Sequence, residues 1–246
     1  KSVRDLEHAA KAGKIAKVAG LGKKTEENIL ESIEFLRGSK GRYLLGEILP
    51  IAEDVVARLR KLNGVKHCEV AGSIRRRKET IGDIDILITT TKPKIAIKAF
   101  VKLPEVKKVI EKGPTMVMVK FKNGIDADLR VLKESDYGSA LLHFTGSKYH
   151  NIEIRSLAKK KGLSLSEYGL FKGKNRIAGK TEQEIYQKLN MDWIPPEMRA
   201  ATGEVEAALG HKIPKLVEYG SIKGDLQVQT EWSDGAHSIE DMARAA

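Results

Sequence analysis

The most restrictive stretch of the sequence runs from Thr115 to Leu132, where two short apolar segments flank a tight-turn signal. Residues 115–121 alternate, with the valines and Phe121 on one side and the methionines and Lys120 on the other. Side chains two residues apart on a strand share a face, so this pattern predicts a strand with one buried face. Asn123-Gly124 is typical of a hairpin turn, and residues 125–132 are the expected return strand.

The segments around this hairpin predict a small mixed α/β unit between helical regions. Further strands are expected over residues 65–71 and 84–91, with a helix, interrupted by Pro104, over residues 94–111. Amphipathic helices are expected over residues 26–36, with Thr25 as N-cap, and over residues 44–62. We predict five divisions of the chain. Residues 1–62 are helical, residues 63–133 are rich in strands, and residues 134–196 are mainly helical up to the stop Trp193-Ile194-Pro195-Pro196. Residues 197–224 form a linker with little periodicity, and residues 225–246 contain the start of a strand and a helix.

Composition narrows the choice of partner and of metal chemistry. The chain has 246 residues, with 44 Lys and Arg against 33 Asp and Glu, a formal net charge of +11. Such an excess suits a polyanion, because neutralised phosphates release condensed counterions, although a solvated basic surface gives the same count. Cys68 is the only cysteine, which excludes an intramolecular disulfide and a cysteine zinc cluster. No apolar run reaches the roughly 18–20 residues of a membrane span, and a cytoplasmic, nucleoid location is expected.

The strongest local signal for chemistry is Gly72-Ser73, followed after nine residues by Asp83-Ile84-Asp85. On a strand, Asp83 and Asp85 lie on one face and can present two carboxylates to a hard divalent cation. Gly72 allows close approach of a phosphate, Ser73 can donate to it, and Arg75 to Arg77 add positive charge. An acidic pair on a surface strand is the commoner meaning of such a motif. The apolar residues that follow Asp83 favour a metal site, because buried carboxylates are costly without a cation.

A third carboxylate is expected on a neighbouring strand, where Asp126 and Asp128 alternate with apolar residues. Both side chains would lie on the same face of that strand. Periodicity alone therefore does not choose between them.

Together these residues resemble a known family. Gly72-Ser73-x9-Asp83-x-Asp85 is similar to the signature of nucleotidyltransferases, and residues 143–148, His-Phe-Thr-Gly-Ser-Lys, resemble the Tyr-Phe-Thr-Gly-Ser motif of family X DNA polymerases. Residues 193–199 resemble the end of the polymerase region in the bacterial and archaeal branch. The resemblance implies an α+β fold, a nucleotidyltransferase palm with a mixed or antiparallel sheet, flanked by helical DNA-binding and nucleotide-binding subdomains.

The same resemblance implies roles for individual residues. Counting fifteen residues back from His143 selects Asp128 as the third catalytic carboxylate, so Asp83, Asp85 and Asp128 would bind two Mg²⁺ ions, with Mn²⁺ as an alternative. His143 stands where the family usually has tyrosine, which implies weaker exclusion of ribonucleotides. The implied nucleotide-binding residues are Gly72, Ser73, Arg76, His143, Phe144, Thr145, Gly146 and Asn151. The implied DNA-binding residues are Gly20, Gly22, Lys23, Arg130, Lys148 and Arg155.

The two ends of the chain carry weaker signals. Residues 18–25 resemble a helix-hairpin-helix whose Gly20 and Gly22 turn offers amides to a DNA phosphate, although an ordinary helical hairpin explains them equally well. Residues 225–235 resemble the opening of a PHP phosphoesterase domain, but Gln227 and Gln229 stand where that motif has histidines. Glutamine is a poor transition-metal ligand, so no nuclease activity is expected, and the chain is expected to be part of a longer protein.

The resulting functional hypothesis is a template-directed DNA polymerase that adds a deoxynucleoside monophosphate to a primer 3′-hydroxyl, acting on primer-template or gapped DNA in repair and as a monomer. Two alternatives remain: a template-independent nucleotidyltransferase, and a DNA-binding module with an inactive site. The turn at residues 144–146 and Asn151 weigh against the first alternative. The complete set of three aspartates weighs against the second.

Overall fold

The computed structural model describes residues 2–18, 20–38, 41–218, 220–224 and 227–245, and the chain forms two compact units, residues 1–212 and 213–246. The helices are α1 (Val3–Lys11), α2 (Lys23–Gly38), α3 (Leu45–Arg60), α4 (Gly72–Arg75), α5 (Pro93–Val101), α6 (Tyr137–Thr145), α7 (Lys148–Lys160), α8 (Glu182–Lys188), α9 (Glu204–Leu209) and α10 (Ile239–Ala245). The strands are β1 (Tyr43–Leu44), β2 (Val65–Val70), β3 (Thr80–Ile81), β4 (Asp83–Thr90), β5 (Val106–Lys112), β6 (Met116–Phe121), β7 (Asp126–Leu132), β8 (Ser164–Ser166), β9 (Gly169–Lys172) and β10 (Asn175–Ala178).

A five-stranded sheet with the order β2-β4-β7-β6-β5 organises the first unit. Strands β4 and β7 are parallel, and the other neighbouring strands of this sheet are antiparallel. The sheet is therefore mixed, and the predicted α+β palm-like architecture is confirmed. The alternation predicted for residues 115–121 is also confirmed, because Val117, Val119 and Phe121 are buried.

The two faces of β4 belong to different environments. Ile84, Ile86 and Ile88 are fully buried in a core that also contains residues of α3 and α5. Leu87 lies on the other face and packs against Tyr137 and Leu141 of α6. Because side chains alternate along a strand, Asp83 and Asp85 share the Leu87 face and lie on the side of the sheet that α6 covers.

Burial of the isoleucines holds this arrangement in register. Each fully buried isoleucine contributes roughly 1.5–3 kcal/mol relative to an exposed one. A slip of one residue along β4 would move the isoleucines out of the core and move the carboxylates of Asp83 and Asp85 into it. The apolar pattern of the strand thus determines on which side of the sheet the acidic side chains lie.

Some predicted elements are wrong in part. The helix expected over residues 94–111 ends at Val101, and residues 106–112 form the edge strand β5. Side chains on β5 are mostly exposed and several are lysines, which is typical of an edge strand and hides its period-two pattern. Residues 134–191 contain, besides helices α6, α7 and α8, the antiparallel strands β8, β9 and β10 within residues 164–178, which were not predicted, with Gly173 (φ 59°) in the tight turn between the last two.

The predicted start of α2 is also wrong, since the helix begins at Lys23 and Thr25 lies inside its first turn. Ser39 and Lys40, which follow α2, lie outside the described residues. The helix expected over residues 44–62 is confirmed as α3.

The segment expected to be a linker contains ordered structure. Helix α9 buries Val205 and Ala208, and Arg199 is fully buried before it. Within residues 227–245 no strand forms, so the strand expected near the end of the chain is absent from the described part, and α10 is present. Among the described residues no helix is long and apolar enough to cross a membrane.

Candidate active site

The acidic side chains of β4 and β7 are brought together by parallel pairing. Asp83 is opposite Asp126, and Asp85 is opposite Asp128. Neighbouring strands lie about 4.8 Å apart, so these side chains form a compact acidic patch on the sheet face that α6 covers. Asp83, Asp85, Asp126 and Asp128 therefore lie on one surface of the sheet.

Electrostatics distinguishes Asp128 from Asp126. Lys120 on the adjacent strand forms a salt bridge with Asp126 at 2.6 Å. The pKa of Asp128 is raised, chiefly because burial disfavours its charge, with further contributions from Asp83 and Asp126 against the lowering effect of Arg130. Burial, followed by repulsion from Asp83 and Asp128, raises the pKa of Asp85 to about 7. Asp128 thus interacts with the acidic pair, whereas Asp126 is neutralised by a lysine.

The residues of this patch fit a divalent cation by their chemistry. Their donor atoms are carboxylate oxygens, which Mg²⁺ and Mn²⁺ prefer, and a cation would relieve the repulsion that raises the pKa of Asp85. Within the described residues, no group of three or more His, Cys, Asp or Glu side chains is placed so that it could hold a metal ion. The fit therefore rests on donor type and charge.

Gly72 lies so close to Asp85 that any side chain at position 72 would displace the Asp85 carboxylate. Its φ is 56°, and a Cβ added at this position would lie 2.1 Å from Oδ2 of Asp85. The amide of Ala71 donates to the carbonyl oxygen of Asp85 at 2.8 Å, which fixes the turn against β4. This contact places Ser73 and Arg76 beside the acidic patch.

A second turn, at residues 143–147, faces the first. Helix α6 ends at Thr145, Gly146 follows with a φ of 69°, and the Gly146–Ser147 peptide bond is cis. The Arg76 guanidinium donates to the carbonyl oxygen of Thr145. Asn151 donates from its side-chain amide to the carbonyl oxygen of His143 at 2.7 Å. Both ends of the turn are therefore held by side chains that the sequence motifs single out.

His143 is held by Arg155, whose Nη2 donates to His143 Nδ1 at 2.6 Å. Burial, together with the charges of Arg155 and Arg130, lowers the pKa of His143 despite the opposing effect of Glu167. The ring is consequently neutral at pH 7, with its proton on Nε2. Its neighbour Phe144 contacts the His143 ring edge-on at 4.8 Å, and the Arg130 guanidinium lies 4.5 Å from the Phe144 ring centre.

These two turns and the start of β4 enclose a cleft of about 600 Å³, termed here the central cleft. Its lining residues are Arg42, Gly72, Ser73, Arg76, Gly82, Asp83, Asp85, His143, Phe144, Gly146, Lys148, Asn151, Ile152 and Arg155. Of the implied nucleotide-binding residues, only Thr145 does not line the cleft, because its side chain is fully buried. Asp128 and Arg130 lie beside the cleft on β7.

With this geometry established, comparison with known proteins identifies the chain. The DNA polymerase beta palm domain matches residues 46–159, and the DNA polymerase beta thumb domain matches residues 140–200. A repair DNA polymerase X of African swine fever virus is 32% identical over 54% of this chain and 82% of the viral protein. The chain belongs to the family X DNA polymerases.

Two further relatives extend this family assignment. The DNA polymerase/3′-5′ exonuclease PolX of Bacillus subtilis is 37% identical over 98% of this chain, which spans only 42% of that relative. A Leishmania infantum polymerase beta, solved as a ternary P/T complex, is 21% identical with a TM-score of 0.56, covering 80% of this chain and 88% of that one. The similarity to the Leishmania infantum structure shows that the family fold extends over most of the chain.

The structure also adds residues to the family X site that sequence reasoning missed. Arg42, Gly82 and Ile152 line the central cleft. Arg42 is oriented by Thr80, to whose hydroxyl its Nε donates at 2.9 Å. Arg42 lies in a polar break between helices, where no periodic signal is available to single it out.

The remaining predicted DNA-binding residues lie outside the central cleft, Gly20 and Gly22 between α1 and α2 and Lys23 at the start of α2. Gly20 has a φ of 83°, and a Cβ added at Gly20 or Gly22 would meet no atom within 4 Å. Close packing therefore does not require glycine at either position, although the backbone conformation favours it at Gly20. Glu26 accepts hydrogen bonds from the amides of Ile15 and Ala16, at 3.1 Å each, and orders this loop.

Proposed function

We propose that this chain is a template-directed DNA polymerase that transfers a deoxynucleoside monophosphate from a dNTP to a primer 3′-hydroxyl and releases pyrophosphate. Family membership and the central cleft support this reaction. The observation that carries the proposal is that one cleft combines the Gly72–Arg76 turn, the acidic start of β4 and the His143–Gly146 turn. In this proposal the glycine turn would receive the phosphates, the second turn would receive the sugar, and the acidic patch would hold the metal ions that accompany the phosphates.

We propose Asp83, Asp85 and Asp128 as the ligands of two Mg²⁺ ions, with Mn²⁺ able to replace them. When bound, such ions neutralise developing charge on the transferred phosphate and lower the pKa of the attacking hydroxyl. The protein contributes position, because Gly72 and the parallel pairing of β4 with β7 hold the carboxylates on one surface. Phosphoryl transfer needs positioning and charge neutralisation more than covalent chemistry by the protein.

The nucleotide would lie between the two turns. Ser73 and Arg76 would hold the triphosphate, with Gly72 allowing the backbone to approach it closely. Phe144, Thr145 and Gly146 would lie against the 2′ edge of the sugar, with His143 stacked at the same turn. Asn151 would contact the base in the minor groove.

Primer-template or gapped DNA would bind around this cleft, with repair as the setting and a monomer as the active form. The proposed contacts are Lys148 and Arg155 in the cleft, Arg130 beside it, Gly20 and Gly22 in the α1–α2 loop, and Lys23 at the start of α2. The net charge of +11 supports such binding, since phosphate contacts dominate the affinity of proteins for DNA. Contacts to phosphate position the protein without reading sequence.

A primer-extension assay tests the proposal. Wild-type protein, a gapped or recessed template, one dNTP at a time and Mg²⁺ should give addition of the templated nucleotide only. Extension without a template would instead indicate a template-independent nucleotidyltransferase. DNA binding without any extension, in Mg²⁺ or Mn²⁺, would indicate an inactive binding module and would refute polymerisation.

A further inference from the structure

A buried cluster of charged side chains lies behind the central cleft and is centred on Glu182. The Glu182 carboxylate accepts from Arg75 through two hydrogen bonds of 2.9 Å, and from Nη1 of Arg199 at 2.7 Å. The indole of Trp193 donates to the same carboxylate at 3.1 Å. Glu182 is 3% exposed and Arg199 is 0% exposed, so these two charges are removed from water, whereas the side chain of Arg75 is 16% exposed.

Such a cluster is not needed for stability alone. Desolvation of buried ion pairs often cancels their attraction, and well-packed apolar residues would serve a core as well. A planar guanidinium held by two hydrogen bonds is, however, fixed in orientation as well as in position. The cluster therefore holds Arg75 in one geometry.

That geometry connects the cluster to the turn at residues 143–147. Nη1 of Arg75 donates to Oγ1 of Thr145 at 2.8 Å, while the adjacent Arg76 donates to the carbonyl oxygen of Thr145. The carbonyl oxygen of Arg199 accepts from the amide of Ser147 at 3.4 Å. Thr145 and Ser147 are thus both attached to residues that Glu182 or its partners orient.

We infer that Arg75, oriented by Glu182, is a positioning residue that sets the sugar selectivity of the proposed polymerase through Thr145. This inference rests on the proposed function. Exclusion of a ribose by a backbone clash depends steeply on where the turn lies, because a displacement of a fraction of an ångström relieves a steric contact. Arg75 does not line the central cleft and acts only through Thr145.

Two variants test this role without removing the buried carboxylate. Arg75→Lys keeps the positive charge, but a single ammonium cannot reproduce the planar guanidinium geometry that serves Glu182 and Thr145 together. Thr145→Val keeps the shape of the side chain and removes only the hydroxyl that Arg75 contacts. The measurement is kcat/KM for a dNTP and for the matching rNTP on one gapped DNA, with DNA affinity and Tm measured alongside.

Each variant should lower the dNTP-to-rNTP ratio by about tenfold or more, since a misplacement of about 1 Å can cost on the order of a hundredfold. DNA affinity should be unchanged. The double variant should lower the ratio no further than Arg75→Lys alone, because both changes break the same link. Glu197→Gln, which neutralises an exposed carboxylate near Arg199, is the matched control and should keep the wild-type dNTP-to-rNTP ratio.

The outcomes separate this inference from the proposed function. Absence of extension by the wild-type protein would overturn the proposed function itself. The positioning role would be overturned by a different result. In that case the wild-type protein extends primers, both Arg75→Lys and Thr145→Val are active, and their dNTP-to-rNTP ratios stay within about twofold of the wild-type ratio. A loss of dNTP and rNTP incorporation in equal proportion would also overturn it, since a structural role alone would lower both equally.

Discussion

Alanine substitution of each of the two candidate aspartates on β7 is the sharpest test of the proposed catalytic site. Asp126 and Asp128 lie on the same face of one strand, each opposite an aspartate of β4. We expect Asp128→Ala to abolish primer extension and Asp126→Ala to preserve it. The physical difference is the partner, because Lys120 pairs with Asp126 at 2.6 Å, whereas Asp128 faces the acidic pair of β4.

The expected changes in extension rate follow from the surroundings of the two aspartates. The side chains of Lys120 and Asp126 are 42% and 44% exposed, and exposed ion pairs contribute roughly 0.2–1 kcal/mol. Even if all of that reached the reaction barrier, the rate would change by no more than about fivefold. Loss of a metal ligand removes several kcal/mol of transition-state stabilisation, and about 4 kcal/mol corresponds to a rate reduction of about a thousandfold.

Single-turnover extension of a gapped DNA, with each variant at saturating Mg²⁺ and dNTP, measures both rates. DNA affinity should stay near wild type in both variants, since neither residue is a proposed phosphate contact. The Tm of Asp128→Ala should be equal to or above that of wild type without metal, because removing this carboxylate relieves repulsion with Asp83 and Asp85. If Asp126→Ala abolishes extension and Asp128→Ala does not, the assignment of the third carboxylate is wrong by two residues.

Three further predictions concern other parts of the chain. Replacement of Gly20 and Gly22 by valine should weaken binding to all DNA sequences alike and leave the single-turnover rate unchanged; equal affinity in wild type and double variant would show that the loop is only a structural turn. His143→Tyr should raise the dNTP-to-rNTP ratio, and an unchanged ratio would mean that the backbone alone excludes ribose. Glu182→Gln should destabilise the fold by about 3–5 kcal/mol in urea at pH 7, because it leaves buried arginines unpaired; wild-type stability in this variant would contradict that view of the cluster. Between Arg75 and Arg199 the pKa of Glu182 is lowered to about 2, so its contribution is present above the ordinary pKa of about 4.5 and is lost as the pH falls towards 2, and urea unfolding of the Gln variant should lack this pH dependence.

The palm sheet was largely predictable from the sequence because its signals are local. The alternation in residues 115–121 and the spacing of Asp83 and Asp85 each depend on residues a few positions apart. Burial of every second side chain then selects one register in β6 and β7, where the alternation is strict. The edge strand β5 has no such pattern, since most of its side chains are exposed.

Other features could not be read from any local spacing. Arg75 and Glu182 are 107 residues apart in sequence, and nothing near either position indicates that they meet. The same holds for His150, whose buried ring contacts Glu204 at 2.8 Å and Tyr186 at 3.1 Å. Polar side chains normally predict exposure, so a segment whose charges are paired inside the protein resembles a linker. This explains why residues 197–224, which include Arg199 and Glu204, were expected to be a linker with little periodicity.

The central cleft is a consequence of the same register that stabilises the sheet. Ile84, Ile86 and Ile88 are buried on one face of β4, so the aspartates must lie on the other. On that face Leu87 packs against α6, the helix whose carboxyl end forms the turn at residues 143–147. The apolar contact between Leu87 and α6 therefore brings the acidic patch and the turn to opposite sides of one cleft. Stability of the sheet and placement of the proposed catalytic groups thus depend on the same alternation along a single strand.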